Sequence, residues 1–151
     1  MRLEDFCKPE LALILSGLRK RDAALELIAQ AAAPMIPGSD ADHLLASLID
    51  RETKTPTSTP EGVAFPHGRS LAVKQLTILF ARCKDGVDFE SEDGKPTKLF
   101  FLILAPPQDT GNYYLQALGK IAELVRKTDV REALMDAADF DAMVGILKEA
   151  S

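Results

Sequence analysis

The spacing of apolar residues predicts two helices in the first third of the chain. A short apolar run, Leu11–Leu15, comes first, and its periodicity does not distinguish a buried strand from the end of a helix. Asp22 then precedes apolar residues at the i, i+3, i+4, i+7 spacing of an amphipathic helix that ends by Pro34. Ser39, with Asp42 three residues later, resembles a capping box and predicts the start of a second helix. The apolar face is Leu25, Ile28, Ala29 and Ala32 in the first helix, and Ala41, Leu44, Leu45, Leu48 and Ile49 in the second.

The middle of the chain predicts three strands. Gly62–Pro66 and Gln75–Ala81 are short apolar stretches, and Leu99–Ala105 is the most apolar of the three. A strand that is apolar throughout is covered on both faces, so we expect Leu99–Ala105 at the centre of a sheet. Asp85-Gly86 and Asp93-Gly94 predict turns between the second and third strands.

A polar segment, 53–61, lies between the second helix and the first strand. It contains two prolines and no apolar residue, which predicts a surface loop that leads directly into the strand. A linker between two domains is the alternative interpretation, but the segments on either side are too short to fold separately.

The last third predicts helices, and the order of elements then defines the fold class. Apolar residues from Leu118 to Val125 form one helical face, Asp129 opens a shorter helix, and Asp139 is placed to cap a third. A strand, two helices, several strands and further helices in that order fit an α/β fold. We expect residues 1–151 to form a single three-layer domain, a mixed β-sheet with helices on both faces.

Composition and charge exclude several classes of function. The 151 residues are 46% hydrophobic, enough for a core without metal or disulfides, and the net charge is −5. Such an acidic chain is a poor binder of nucleic acid or anionic membrane, so we expect neither as a partner. Cys7 and Cys83 have no metal-ligand or redox spacing and are expected to be free thiols. The chain opens without a secretion signal and its longest apolar run is 99–107, so we expect a cytoplasmic protein without membrane insertion.

The candidate chemistry lies in residues 62–69, GVAFPHGR. Pro66 fixes its own φ and has no N–H, so the strand is expected to end there and to hold His67 at its end. Gly68 leaves space beside the ring, and Arg69 offers a planar fork of donors that matches phosphate oxygens. A neutral imidazole can attack phosphorus, and phosphoryl transfer requires mainly placement and nearby positive charge. Such a site needs no metal and no cofactor when the donor is itself a phosphohistidine.

Structural, non-catalytic interpretations of the two histidines stay open at this point. A single histidine after a proline is commonly a loop residue with a hydrogen bond to the backbone. A metal ligand is disfavoured because no second His or Cys stands at a useful spacing from His67. His43 lies off the main apolar face of the second helix and is expected to be solvated.

Residues 62–69 resemble the active-site motif of the enzyme IIA domains of the fructose–mannitol class in the bacterial phosphotransferase system. The nitrogen-regulatory relatives of these domains share the motif. Arg51-Glu52, followed ten residues later by Gly62, has the spacing of the Arg-Glu and glycine-rich segment of this family. Thr57 falls on its threonine. The two upstream helices and the Leu99–Ala105 strand also fall where the family places them, so the resemblance covers nearly the whole chain.

The resemblance implies that His67 is phosphorylated by the histidine-containing phosphocarrier protein, with Arg51 and Thr57 beside the phosphate. A surface ion pair for Arg51 and an ordinary loop position for Thr57 are the alternatives. The family often carries a second histidine at the start of the helix after the central strand, where this chain has Tyr114. A phenol can donate a hydrogen bond to a phosphate or orient the His67 ring, but it cannot become cationic. Packing on the core is the alternative for Tyr114.

The polar loop 53–61 departs from the family as well. Ser58 and Pro60 stand where glycines are expected, so the loop is stiffer.

Two classes of function remain for the chain. The favoured function is that of a phosphohistidine-bearing regulator of the nitrogen class, acting on an unidentified protein partner rather than within a complete sugar transporter. The alternative is a protein-binding module that has lost phosphotransfer, so the sequence leaves open whether the chain is an enzyme. An unrelated small enzyme with His67 as general base has no supporting paired carboxylate or nucleophile motif.

Overall fold

A computed structural model describes residues 2–17, 20–71 and 73–150, apart from the side chains of residues 4, 7–13 and 150. The strands are β1 (Cys7–Leu15), β2 (Val63–Ala64), β3 (His67–Arg69), β4 (Thr77–Val87) and β5 (Thr97–Ala105). The α-helices are α1 (Arg21–Ala32), α2 (Ala41–Lys54), α3 (Tyr113–Arg126), α4 (Thr128–Asp136) and α5 (Phe140–Ala150). The Leu11–Leu15 run therefore belongs to a strand.

One mixed sheet organises these elements. Its order is β1-β4-β5-β2, and β3 pairs with β5 further along the same edge. β1 is parallel to β4, β4 is antiparallel to β5, and both β2 and β3 are parallel to β5. Leu99–Ala105 thus lies at the centre of the sheet, as its apolar composition predicts.

Helices cover both faces of the sheet, which confirms the predicted three-layer α/β fold. Successive side chains of a strand point to opposite faces. In β5, Phe101 and Ile103 pack with α3, α4 and α5, whereas Phe100 and Leu102 pack with α1 and α2. Every residue of β5 except Lys98 is buried, because neither face of this strand is left to solvent.

The boundaries of α2 differ from the prediction at both ends. The cap is Asp40, whose carboxylate accepts a hydrogen bond from the Asp42 backbone N–H at 2.8 Å. Ser39 is not the cap, because its hydroxyl donates to the Ala33 carbonyl instead. At the other end, Thr53 was expected in the loop but lies in the last helical turn, where its hydroxyl donates to the Ile49 carbonyl at 2.7 Å.

The strand β4 is longer than predicted, and Asp85-Gly86 is not a turn. The strand continues to Val87 through an irregularity in its register with β5 after Arg82. Gly86 has φ +80°, and a Cβ there would lie 2.7 Å from the Pro96 Cβ, so this position requires glycine. The predicted turn at Asp93-Gly94 is confirmed, since the Gly94 N–H donates to the Ser91 carbonyl.

Arg82 explains why the sequence pattern ends β4 too early. Its side chain is 3% exposed and reaches from the sheet to the end of α4. One guanidinium nitrogen donates to the carbonyls of Leu134 and Ala137, both at 2.8 Å. A charged residue is therefore tolerated inside the strand because it binds carbonyls that the helix leaves unpaired at its C-terminus.

Two further expectations concern the cysteines and membrane-spanning segments. Cys83 is a buried free thiol on β4, and the side chain of Cys7 lies outside the described residues. None of the helices in the described part of the chain combines the length and the apolar composition that crossing a membrane requires.

We predict that Arg82→Met lowers the free energy of unfolding by about 3 kcal/mol, because buried carbonyls of α4 lose a charged donor. Urea unfolding followed by circular dichroism measures this. Arg126→Met, at an exposed position on α3, is the matched control and should stay within about 0.5 kcal/mol of the wild type. Equal losses in the two variants would contradict this account of Arg82.

Candidate functional site

His67 lies on the edge strand next to β5, at a point where the edge is interrupted. β2 ends at Ala64, and Phe65 and Pro66 are outside the ladder. The Pro66 carbonyl nevertheless accepts a hydrogen bond from the Ile103 N–H at 2.9 Å, and pairing resumes with His67 opposite Ile103. His67 therefore begins β3 instead of following the end of a strand. The end of the first strand before Pro66 agrees with the prediction, but β3 was missed because a proline removes a donor from the ladder and keeps its acceptor.

The two ring nitrogens of His67 have opposite partners. Nδ1 lies 2.6 Å from the Phe65 carbonyl oxygen, which can only accept a hydrogen bond. Nε2 lies 3.2 Å from Nε of Arg51, whose N–H can only donate. Both contacts require a neutral imidazole with its proton on Nδ1, so the free lone pair is on Nε2.

The surroundings of His67 lower the pKa of the imidazole below its ordinary value. Burial of the ring is the largest cause, and the positive charge of Arg51 acts in the same direction. The hydrogen bond to the Phe65 carbonyl and the negative charge of Glu52 oppose them and raise the pKa. The net shift is downward and favours the neutral ring, whose Nε2 lone pair accepts the hydrogen bond from Arg51.

Arg51 comes from the last turns of α2, which point at the edge strand. One of its terminal nitrogens donates to the Thr55 carbonyl at 2.8 Å, which anchors the guanidinium beside the ring. The helix therefore delivers one fixed positive charge to the nucleophilic side of His67.

Glu52, the next residue of α2, is a buried carboxylate that the sequence reasoning did not assign to the site. Its side chain is 1% exposed. One oxygen accepts from the Thr57 backbone N–H at 3.0 Å and the other accepts from the Thr57 hydroxyl. A signal was available, because Glu52 follows Leu44 and Leu48 at four-residue intervals on the apolar face of the helix, where a carboxylate needs partners.

The loop after α2 folds back along the strand that leads to His67. The Thr59 N–H donates to the Val63 carbonyl at 2.7 Å, and the Phe65 N–H donates to the Thr57 carbonyl at 3.2 Å. Gly62, with φ +77°, makes the reversal between these two segments. Ser58 and Pro60 thus stand in a paired loop that does not use additional glycines.

Tyr114 approaches His67 from the opposite helical layer. Its ring meets the imidazole edge-on, with the two ring centroids 5.6 Å apart. The Arg69 guanidinium lies over the Tyr114 ring, 5.1 Å from its centroid. Arg69 also donates to the Pro106 carbonyl at 3.0 Å. The Asp109 carboxylate accepts from the Tyr114 backbone N–H at 2.8 Å and so fixes the start of α3.

The phenol of Tyr114 stays neutral in this position. Burial raises its pKa above the ordinary value, and the positive charges of Arg51 and Arg69 only partly oppose that effect. Tyr114 is therefore available as a hydrogen-bond donor and as a packing surface, and it carries no charge at physiological pH.

A cavity of about 500 Å³ lies next to His67, between the first half of α2 and the residues that follow β3. Its floor includes the buried Leu44, and its rim includes Arg69 and His43. His43 is exposed, as predicted. Leu71 is 91% exposed at this rim, and Leu115 is 60% exposed on α3. Apolar side chains therefore remain uncovered around the candidate site.

Among the described residues, no group of three or more His, Cys, Asp or Glu side chains is arranged to hold a metal ion. The site consists instead of one imidazole, two guanidinium groups and a phenol, with a buried carboxylate behind them.

The fold and this site define an α/β domain that holds a neutral histidine in one tautomer at the edge of its sheet. The family model described as phosphoenolpyruvate-dependent sugar phosphotransferase system, EIIA 2, matches residues 5–150, and the chain belongs to this family.

Individual relatives agree with the family assignment. The chain is 35% identical to the nitrogen regulatory protein of Bradyrhizobium diazoefficiens, over 97% of its own length and 95% of that protein. It is 36% identical to the PTS system fructose-specific EIIABC component of Bacillus subtilis, over 68% of this chain but only 16% of that protein. The crystal structure of nitrogen regulatory protein IIA-Ntr from Neisseria meningitidis matches with a TM-score of 0.86 at 28% identity, covering 96% of this chain and 98% of that one. The predicted resemblance, including the nitrogen-regulatory group, is confirmed.

We predict that Arg51→Gln raises the pKa of His67, because it removes a positive charge that lowers this pKa. The titration of the His67 ring protons by NMR measures the change. Arg69→Gln is the matched control, since Arg69 is not among the groups that shift this pKa, and it should leave the titration unchanged. A downward shift in Arg51→Gln would contradict the prediction.

Proposed function

We propose that this domain, taken as residues 1–151, accepts a phosphoryl group on Nε2 of His67 from the histidine-containing phosphocarrier protein. We propose a regulatory role of the nitrogen class and a cytoplasmic location. The observation that carries the proposal is the fixed tautomer: a carbonyl on Nδ1 and a guanidinium on Nε2 leave the nucleophilic lone pair on the side that faces positive charge. The similarity to nitrogen regulatory proteins over almost the whole chain supports the regulatory role.

The transfer balances without a further reactant. The Nε2 lone pair of His67 forms the new N–P bond while the N–P bond in the donor breaks, and the donor imidazole keeps that electron pair. The His67 ring gains positive charge as the bond forms. The Nδ1–H bond to the Phe65 carbonyl stabilises that charge, so the ring does not need to lose its proton during the step.

Arg51 has to release Nε2 before phosphorus can reach it. Its hydrogen bond at 3.2 Å occupies the lone pair in the resting site. The anchor on the Thr55 carbonyl keeps the guanidinium close, so we propose that its donors transfer to the arriving phosphoryl oxygens.

The remaining candidate residues have different proposed roles. We propose that Tyr114 sets the orientation of the imidazole through its edge-on contact. We also propose that its ring holds the Arg69 guanidinium beside the site as a second source of positive charge. The Thr57 hydroxyl donates to Glu52 and so is not free to donate to the phosphate. Thr57 therefore acts on the site by fixing the loop before the strand.

The exposed apolar side chains around His67 support docking of a protein partner. Leu71 lies at the rim of the cavity beside Arg69, which offers a concave surface, and the exposed Leu115 directly follows Tyr114 on α3. We propose that the phosphocarrier donor and the regulated partner use this surface in turn. Phosphorylation adds negative charge there and changes which partner binds.

Phosphorylation of His67 is the direct test of the proposed function. We expect incubation with phosphoenolpyruvate, the first enzyme of the system and the phosphocarrier to add one acid-labile phosphate, detected by intact-protein mass spectrometry. His67→Ala should abolish the label, and peptide mapping of the labelled wild type should place the phosphate on His67 and not on His43, the other histidine of the chain. An unlabelled wild type beside a labelled control domain would favour the binding module without phosphotransfer.

The role of Tyr114 separates packing from hydrogen bonding. We expect Tyr114→Phe to be phosphorylated at nearly the wild-type rate, because it keeps the ring contacts with His67 and Arg69. Tyr114→Ala should slow the reaction by about tenfold or more, because misplacement of a nucleophile is costly. Quench-flow phosphorylation measures both rates. An equal loss in the two variants would show that the hydroxyl, not the ring, is the important group.

A further inference from the structure

We infer that Glu52 is a positioning residue for the phosphoryl-accepting imidazole and acts on His67 through the backbone of Thr57 and Phe65. The reaction that Glu52 serves is the proposed phosphorylation of His67, so the inference rests on that function. The hydrogen bonds of the Glu52 carboxylate go to Thr57 and not to the His67 ring. Three consecutive hydrogen-bonded steps connect its carboxylate to Nδ1.

The first step joins α2 to the loop. Glu52 is 1% exposed, and its two oxygens hold the backbone N–H and the hydroxyl of Thr57. Burying a carboxylate is costly, and within the described residues Glu52 is in no salt bridge, although the charge of Arg21 attracts it through space. The hydrogen bonds between Glu52 and Thr57 therefore add little net stability to the fold. They do fix the position of one loop residue.

The second step joins the loop to the segment before the histidine. The Thr57 carbonyl accepts from the Phe65 N–H at 3.2 Å, and the neighbouring pair of Thr59 and Val63 keeps the two segments in register. On its other side Phe65 stacks on Phe101, with ring centroids 6.3 Å apart. The Phe65 peptide is thus held between the Thr57 anchor and the core.

The third step sets the tautomer. The Phe65 carbonyl accepts from Nδ1 of His67 at 2.6 Å. If Thr57 loses its anchor, this carbonyl is free to tilt away, and the proton is free to move to Nε2. A proton on Nε2 removes the nucleophilic lone pair and faces the N–H of Arg51, so the acceptor site is lost.

Glu52 also influences His67 by charge, and the two effects are separable. Its negative charge opposes the lowering of the imidazole pKa by burial and by Arg51. Glu52→Gln removes the charge, but its amide can still pair with both the N–H and the hydroxyl of Thr57. Glu52→Ala removes the charge and the anchor together.

The experiment reads the tautomer directly, by long-range proton–nitrogen NMR of the histidine ring at neutral pH, together with the rate of phosphorylation. We expect Glu52→Gln to keep the proton on Nδ1 and a rate near that of the wild type, with a lower pKa for His67. Glu52→Ala should show a mixture of tautomers and a rate at least about tenfold lower. Thr57→Val, which keeps the backbone N–H but loses the hydroxyl bond, should fall between them and serves if Glu52→Ala does not fold.

A destabilised core variant away from the loop provides the control. Leu134→Ala opens the core under α4 and should leave the His67 nitrogen shifts unchanged. The inference is overturned if Glu52→Ala, or Thr57→Val in its place, keeps a pure Nδ1–H tautomer, or if Leu134→Ala mixes the tautomers equally. The tautomer measurement needs no phosphate donor. A wild type that shows the anchored tautomer but never becomes phosphorylated therefore rejects the proposed function and not the positioning role.

Discussion

The hydrogen bond from Nδ1 of His67 to the carbonyl of Phe65 is the interaction on which the site depends. At 2.6 Å it joins residues two apart in the sequence, so the intervening Pro66 restricts the geometry that the hydrogen bond from Phe65 to Thr57 then holds. A proline confines the residue before it to extended backbone and fixes its own φ, which turns the Phe65 carbonyl toward the ring that follows. The proton on one nitrogen then determines the chemistry available at the other.

The position of the site at the edge of the sheet has a geometric reason. Helices α1 and α2 cover one face, and α3, α4 and α5 cover the other. At the edge of a sheet, side chains from both layers can reach one strand residue. Arg51 reaches His67 from α2 and Tyr114 reaches it from α3, so the edge strand is the place where one imidazole contacts both layers. The apolar β5 behind it supplies a rigid support for this arrangement.

The sequence was sufficient for the fold class, the central strand and the family, because these depend on local pattern and on a short motif. It was insufficient wherever a partner is distant. Arg82 looked like the end of a strand, yet its partner carbonyl at Leu134 is 52 residues away. The place of Glu52 on the apolar face of α2 shows that its carboxylate needs partners, but nothing local shows that a loop residue supplies them. The restart of the strand at His67 depends on Ile103, which donates to Pro66 across the sheet.

Tyr114 shows how a neutral group changes the response of such a site. A second imidazole would titrate near physiological pH and add a charge that varies with conditions. The phenol has a raised pKa and stays neutral, and the guanidinium group of an arginine stays charged in proteins. In the proposed function, the electrostatic change at this surface then comes from the phosphoryl group itself. A surface whose charge reports phosphorylation rather than pH is suited to a partner that must distinguish two states of the domain, and this is the physical argument for a regulator.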